Sequence, residues 1–170
     1  MHMKKYIIIN GGMGAGKSAT GRRIAELLGR AAFIEGDFVV DMHPYVGYQE
    51  TQAMQADNIL HMSKNYYNFG KCDNVVLSWI MGESNATSLI IKLAKLGFQV
   101  HHFMLTSSKE ALTERWKNDK INDWRTDKNL TTALDLLEKF SKHKNCTLID
   151  TSSLTVDMAA RAVIEKVNHQ

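Results

Sequence analysis

Cysteine is scarce in this sequence, since only Cys72 and Cys146 occur among its 170 residues. They form no C-x-x-C pair, and neither lies in the Cys/His spacing of a zinc site. Isolated cysteines of this kind are typical of reduced thiols in a cytoplasmic protein. We therefore expect both side chains to be buried and reduced, and the protein to be cytoplasmic.

Long hydrophobic runs are missing as well. No apolar stretch approaches the about 20 residues that a membrane-spanning helix needs, and the run Tyr6–Ile9 is too short for the core of a signal peptide. The net charge of +3 is too small to indicate a nucleic-acid or membrane partner. The length and the ordinary composition, 44% hydrophobic and 23% charged, predict one globular domain over residues 1–170.

The stretch Gly11–Ser18 fits the pattern G-x-x-x-x-G-K-[ST] between a β-branched run and a helical pattern that ends at Gly29. This strand–loop–helix context is that of a phosphate-binding P-loop, in which glycines let backbone N–H groups turn towards phosphate oxygens. Lys17 is predicted to reach the β- and γ-phosphates, and the Ser18 hydroxyl to hold Mg²⁺. The predicted nucleotide-binding residues here are Gly11, Gly12, Met13, Gly14, Ala15, Gly16, Lys17, Ser18 and Ala19.

A dinucleotide-binding loop does not fit the same glycines. The pattern G-x-G-x-x-G would need glycine at Lys17 or at Ala19. Glu35 and Asp37 lie at about the right separation for ribose binding, but the loop before them has the wrong spacing.

Strand and helix patterns alternate along the chain. Strands are predicted at 5–10, 32–35, 75–81, 98–105 and 147–150, and helices follow the P-loop and lie at 48–68, 85–96, 130–142 and 155–167. A further helix is predicted to begin at a capping box, Ser107-x-x-Glu110. In the helix at 48–68, the expected inward positions are Ala53, Met54, Ile59 and Leu60. The alternation predicts an α/β protein of three layers, with a doubly wound parallel sheet that binds ligands at the carboxyl ends of its strands.

Several motifs that would define other P-loop classes are absent. There is no N-K-x-D or T-K-x-D tetrapeptide for guanine and no L-S-G-G-Q signature. The buried run Val75–Met81 contains no acid of the kind that ends the metal-binding strand of motor ATPases. A small P-loop kinase remains.

Asp37 is the candidate catalytic base of such a kinase. It comes directly after the second predicted strand, whose carboxyl end lies near the P-loop in a doubly wound sheet. A carboxylate there can accept the proton of an attacking hydroxyl, help to hold Mg²⁺, or do both. The structural alternative is that Asp37 caps the segment that follows.

On Gly11–Ser18 and Glu35–Asp37, the chain resembles the small-molecule P-loop kinases, such as shikimate kinase, gluconate kinase and chloramphenicol phosphotransferase. The resemblance implies a five-stranded parallel sheet of order 2-3-1-4-5, with ATP as co-substrate and Mg²⁺ as cofactor. It also implies an acceptor-binding segment at about 37–83 and a lid that closes over ATP.

The lid candidate is the polar segment Trp116–Asn129, which joins two better helical patterns. The resemblance implies that lid arginines neutralise the transferring phosphoryl group, and Arg115 and Arg125 are the candidates for this role. The alternative is a solvated face, because acids alternate with the basic residues at Asp119, Asp123 and Asp127.

Arginine is absent between Arg30 and Arg115, and the segment 37–83 carries only Lys64 and Lys71 as fixed cations. Acidic or phosphorylated acceptors need fixed cations, which are usually arginines. The acceptor is therefore predicted to be a small neutral or cationic molecule with a hydroxyl group, and nucleic acid is disfavoured as a partner.

Near the single proline, Pro44, the side chains that could line the acceptor pocket are His43, Tyr45 and Tyr48; they could instead pack the turn. Two other functions stay open: a nucleotide or nucleic-acid-end kinase, and a non-catalytic ATP-binding regulatory module. The sequence does not decide between ATP and GTP, or the oligomeric state.

Overall fold

Five parallel strands form one sheet in the computed structural model, which describes residues 3–44, 46–119 and 125–169. The strands are β1 Lys5–Gly11, β2 Ala31–Glu35, β3 Asn74–Ser78, β4 Gln99–Thr106 and β5 Thr147–Asp150. The helices are α1 Lys17–Leu28, α2 Tyr48–Asn68, α3 Glu83–Lys95, α4 Lys109–Asn118, α5 Asp127–Phe140 and α6 Val156–Asn168. The strand order is β2-β3-β1-β4-β5, so the predicted α/β fold and its topology are confirmed.

Strand β1 lies at the centre of the sheet and contributes to both hydrophobic cores. Because successive side chains of a strand point to opposite faces, Tyr6 and Ile8 belong to one core and Ile7 and Ile9 to the other. Residues of α2 and α3 complete the first core, and residues of α1 and α6 complete the second. The sheet is thus covered by helices on both faces, as predicted for three layers.

A third apolar cluster joins α4 to α5 and rests on the P-loop. Leu112 and Trp116 of α4 pack with Ala133 and Leu137 of α5, and Met13 of the loop packs against them. This helix pair therefore fixes one wall of the loop.

Some predicted boundaries are wrong, and tertiary contacts explain them. Strand β3 ends at Ser78 rather than at position 81, because the backbone of Met81 bonds to the side chain of Asn10 instead of to a neighbouring strand. In α2 the inward stripe is shifted, so that Ala53 and Met54 are exposed while Ile59 is buried.

The N-terminus of α4 also differs from the prediction. Ser108, not Ser107, is the N-cap, and its hydroxyl accepts a hydrogen bond from the Ala111 amide. The amide of Ser108 itself donates to the Ser152 hydroxyl at 2.8 Å. The predicted capping box is wrong because this contact with a distant loop places the helix start one residue later.

The two cysteines are free thiols, but only Cys72 is buried; Cys146 is half-buried, so burial was predicted correctly for one of them. Within the described residues, no helix is both long enough and apolar enough to span a bilayer.

Candidate functional site

The P-loop connects β1 to α1 at the carboxyl edge of the sheet. Gly14 and Gly16 have positive φ angles of 75° and 86°, a left-handed backbone that other residues adopt at a cost. A side chain at Gly14 would also come within 2.9 Å of Leu112. Gly16 is the N-cap of α1 and has no side chain to cap it, so the positive end of the helix faces the loop interior.

Lys17 already points into its own loop. Its Nζ donates to the carbonyl oxygen of Gly12 at 3.0 Å. Burial lowers the pKa of Lys17, while the negative charges of Asp37 and Glu35 act in the opposite direction. The ammonium group and the two carboxylates therefore face one another across the end of β2.

Glu35 is a functional candidate that the sequence analysis considered only for ribose binding. It is the last residue of β2 and lies in register with Ser78 of β3. Burial raises the pKa of Glu35, hydrogen bonding to Ser18 lowers it, and the neighbouring Asp37 charge raises it further. The net direction is upward. Glu35 thus faces Ser18, the residue predicted to hold the metal.

Asp37 lies in a single 3-10 turn, Gly36–Phe38, directly after β2. Its side chain is exposed to solvent, and the backbone before it is fixed because Gly36 packs on Trp79, where a Cβ would lie 2.4 Å from the indole. The helix that follows is capped by Gly47, so Asp37 does not cap α2. The structure thus brings Lys17, Glu35 and Asp37 together beside the P-loop.

A cleft of about 660 Å³ lies on the other side of the loop. Its walls come from three parts of the chain: the P-loop with Gly14 and Gly16, helix α4 with Arg115, and the connection from β5 to α6. The Arg115 Nη1 donates to the Thr151 hydroxyl at 3.1 Å, and its Nη2 donates to the Thr151 carbonyl. In this structure Arg115 therefore faces the loop after β5 rather than Lys17.

Arg125 lines the same cleft and is held by several groups. It forms an ion pair with Asp119 at 2.8 Å and lies 5.1 Å from the ring of Trp116. Its Nη1 also donates to the carbonyl oxygen of Arg115. Both predicted arginines thus border the candidate nucleotide cleft, while residues 120–124 of the predicted lid lie outside the described residues.

The predicted acceptor-pocket residues are not brought together by the described part of the structure. His43 is 90% exposed and lies 3.4 Å from Asp41. Tyr45 and the side chain of Tyr48 lie outside the described residues. The segment beside Asp37 instead carries exposed apolar side chains, Phe38, Met42 and Met54, of which Phe38 is 77% exposed.

Many solved structures have the same fold, among them a resistance protein and two kinases. The tunicamycin resistance protein of Deinococcus radiodurans has a TM-score of 0.73 at 19% identity, over 97% of this chain and 96% of that chain. A gluconokinase from Sinorhizobium meliloti 1021 has a TM-score of 0.66 at 19% identity, over 99% and 94%. The APS kinase CysC of Mycobacterium tuberculosis, solved with AMPPNP and APS, has a TM-score of 0.70 at 16% identity, over 99% of both chains.

No curated protein matches the sequence. The sequence does match the family described as the AAA domain, over residues 7–134, which run from β1 into α5. The resemblance to small-molecule P-loop kinases is also confirmed by the structural neighbours. The chain therefore belongs to the AAA domain family and has the fold of the P-loop kinases.

Proposed function

We propose that this protein is an ATP- and Mg²⁺-dependent kinase, active in the cytoplasm, that phosphorylates a hydroxyl group of a small neutral or cationic molecule. The proposal rests on one observation. The side chains of Lys17, Glu35 and Asp37 lie together beside the P-loop. A regulatory nucleotide-binding module would need the lysine and the loop, but it has no use for an exposed carboxylate beside them.

Lys17 and the loop amides hold the β- and γ-phosphates in this proposal. The ammonium group leaves the Gly12 carbonyl and moves to the nucleotide, a short change because the carbonyl lies in the same loop. Arg115 borders the nucleotide cleft from α4, and Arg125 borders it at the end of the lid candidate.

Ser18 and Glu35 fit a magnesium ion, because a hydroxyl and a carboxylate supply the hard oxygen ligands that Mg²⁺ prefers. When bound, Mg²⁺ would neutralise charge on the β- and γ-phosphate oxygens. Asp37 stays a predicted ligand for the same ion, directly or through water.

Asp37 accepts the proton of the acceptor hydroxyl as that oxygen attacks the γ-phosphorus. Its exposure allows an acceptor to reach it from solvent, and the packing of Gly36 on Trp79 fixes the backbone that carries it. The hydroxyl oxygen forms a bond to phosphorus, the bond to the β-γ bridging oxygen breaks, and ADP leaves.

The character of the acceptor is inferred from the side chains that segment 37–83 exposes. Lys64 lies in the last turns of α2 and Lys71 in the turn before β3, so both fixed cations of segment 37–83 are at the opposite edge of the sheet. The side chains of Phe38, Met42 and Met54 offer apolar contact instead. We infer an acceptor with an apolar part as well as a hydroxyl group. Among the structural neighbours, a tunicamycin resistance protein and a gluconokinase are consistent with small-molecule acceptors.

The test is ADP release from Mg·ATP with a panel of paired acceptors. Each pair would differ in one feature: neutral against phosphorylated, or with and without an aryl or alkyl group. We expect stimulation by neutral alcohols, strongest for those with an apolar group. Stimulation only by phosphorylated acceptors would indicate a nucleotide or nucleic-acid-end kinase, and no stimulation would favour the regulatory module.

The variant that tests the mechanism is Asp37→Asn. Loss of the base should reduce turnover at least about 100-fold, while ADP binding, measured by calorimetry, stays near the wild-type value. Asp41→Asn is the matched control, because Asp41 is also an exposed carboxylate of this segment and pairs with His43. Near-normal turnover of Asp37→Asn would contradict the role of Asp37.

A further inference from the structure

A connected set of polar contacts joins the start of the P-loop to the loop between β3 and α3, and none of the side chains in it belongs to the proposed chemistry. Asn10, the residue before the P-loop glycines, is fully buried. Its Oδ1 accepts from the amides of Gly11 at 2.7 Å and Met81 at 3.0 Å. Its Nδ2 donates to the Met81 carbonyl at 2.9 Å.

These three backbone bonds fix the orientation of the Asn10 amide. Turning it over would place Nδ2 against two N–H donors and Oδ1 against a carbonyl oxygen. The second hydrogen of Nδ2 therefore faces the remaining neighbour, Nε2 of His102 on β4, at 3.4 Å.

The other nitrogen of His102 fixes its tautomer. Nδ1 lies 3.2 Å from the carbonyl oxygen of Asn145, which can only accept, so Nδ1 carries the proton. Nε2 is then the acceptor for Asn10. The Asn145 side chain donates in turn to Glu83 at 3.3 Å. Glu83 begins α3, directly after the loop that contains Met81, so the contacts return to the loop where they began.

We propose that His102 is a positioning residue, whose neutral ring holds Asn10 in place and thereby fixes the P-loop against the β3–α3 connection. A protonated ring has no lone pair at Nε2 and would oppose the Asn10 amide hydrogens. Protonation therefore releases the Asn10 side chain and loosens the first residues of the P-loop. The nucleotide site loses affinity as a result.

The surroundings of His102 favour the neutral ring. Burial lowers its pKa, the bond to Asn145 acts in the opposite direction, and the nearby His143 lowers the pKa again. Glu83 from α3 and Cys146 from the α5–β5 connection also border the small cavity beside the ring. On the β1 side, the polar neighbour is the uncharged Asn10. The contact between His102 and Asn10 is therefore intact at neutral pH, and it is lost only below about pH 6.5, the usual pKa of a histidine.

The first test uses NMR on the wild-type protein without ligand. The ¹⁵N shifts of the His102 ring should show the Nδ1–H tautomer at pH 8. On acidification, the amide signals of Gly11 and Met81 should shift with the same midpoint as the ring. An Nε2–H tautomer, or Gly11 and Met81 signals that ignore the ring, would overturn the proposal.

Variants assign the effect to His102. His102→Gln offers a carbonyl oxygen to Asn10 but does not titrate, so the amide shifts in acid should vanish while ADP affinity at pH 8 stays within about twofold of wild type. His102→Leu removes the acceptor and should weaken ADP binding about fivefold relative to wild type at pH 8, the loss of one hydrogen bond. The difference should disappear in acid, where the wild type has lost the same bond. His143→Gln is the matched control, because His143 borders the same cavity. It should keep the acid shifts of Gly11 and Met81, with their midpoint moved upward because the His143 charge no longer lowers the pKa of His102.

The effect of His102 on turnover rests on the proposed function, because turnover can be measured only with an acceptor. The NMR test of His102 needs no acceptor, so the two ideas can fail separately. If an acceptor is found, turnover of the wild type should fall in acid with the NMR midpoint, and His102→Gln should lack that component. An acid decline that persists unchanged in His102→Gln would contradict the positioning role. Absence of any kinase activity would contradict the proposed function alone, because the NMR result requires no acceptor.

Discussion

Two carboxyl groups separated by a single residue, Glu35 and Asp37, lie in different surroundings and therefore suit different tasks. Glu35 closes β2, is half-buried and faces the Ser18 hydroxyl, whereas Asp37 stands exposed on the turn that follows. The first is suited to a metal ligand and the second to contact with an incoming hydroxyl. Sequence position alone could suggest Asp37, because it follows the strand. It could not separate the two roles, since these depend on burial and on the approach of Ser18.

At the residue scale, we predict that Glu35→Gln makes the protein more stable and less active. The pKa of Glu35 is raised in the folded protein, so its ionisation opposes folding as pH rises through that value. The neutral amide avoids this cost at pH 8 but offers a poorer metal ligand. Urea unfolding should show a gain at pH 8 that disappears below about pH 4, where the carboxyl is protonated in both states. A loss of stability at pH 8 would contradict this account.

At the element scale, the start of α4 shows what a local pattern can and cannot fix. The sequence has two adjacent serines, and Glu110 follows Ser107 at the spacing of a capping box. The Ser152 hydroxyl, more than forty residues away, holds the Ser108 amide and decides between them. Helix existence was therefore predicted from periodicity, while its first residue depended on a contact that periodicity does not contain.

The same pair of serines gives an element-scale prediction. Ser108→Ala should destabilise the protein by about 1 kcal/mol, because the Ala111 amide loses its cap. Ser107→Ala is the matched control, because the buried Ser107 hydroxyl has no hydrogen-bond partner among the described residues and should be replaceable at little cost. Chemical denaturation of the two variants distinguishes the caps. Equal losses would mean that the helix begins as the sequence pattern suggested.

At the scale of the whole molecule, the candidate nucleotide cleft combines three distant parts of the chain. Its walls are the P-loop, α4 and the loop after β5, which Arg115 joins through Thr151. The sequence could place the P-loop and both arginines, Arg115 and Arg125, near the nucleotide. It could not place Thr151 opposite Arg115, since that contact arises from the pairing of β5 with β4.

The corresponding prediction concerns ligand-linked stability. Mg·ADP at 100 times its dissociation constant should stabilise the fold by about 2.7 kcal/mol, because it binds the folded state alone. Hydrogen exchange should show protection in all three walls of the cleft together. Mg·ADP should raise the melting temperature of Lys17→Ala much less than that of the wild type, when each protein is compared with its own unliganded form. Protection limited to the P-loop would mean that the nucleotide does not use the cleft beside Arg115.

The central position of β1 also affects how the chain can fold during its synthesis. This strand emerges first, but its neighbours β3 and β4 begin only at Asn74 and Gln99. A ribosome adds roughly 5–20 residues per second, so several seconds pass between the synthesis of Ile7–Ile9 and that of β3, the first strand with which β1 can pair. During that interval it is accessible to chaperones. Because Arg115 in the wall of the nucleotide cleft is bound to Thr151, ligand can assist folding only after β5 and the residues that follow it have been synthesised.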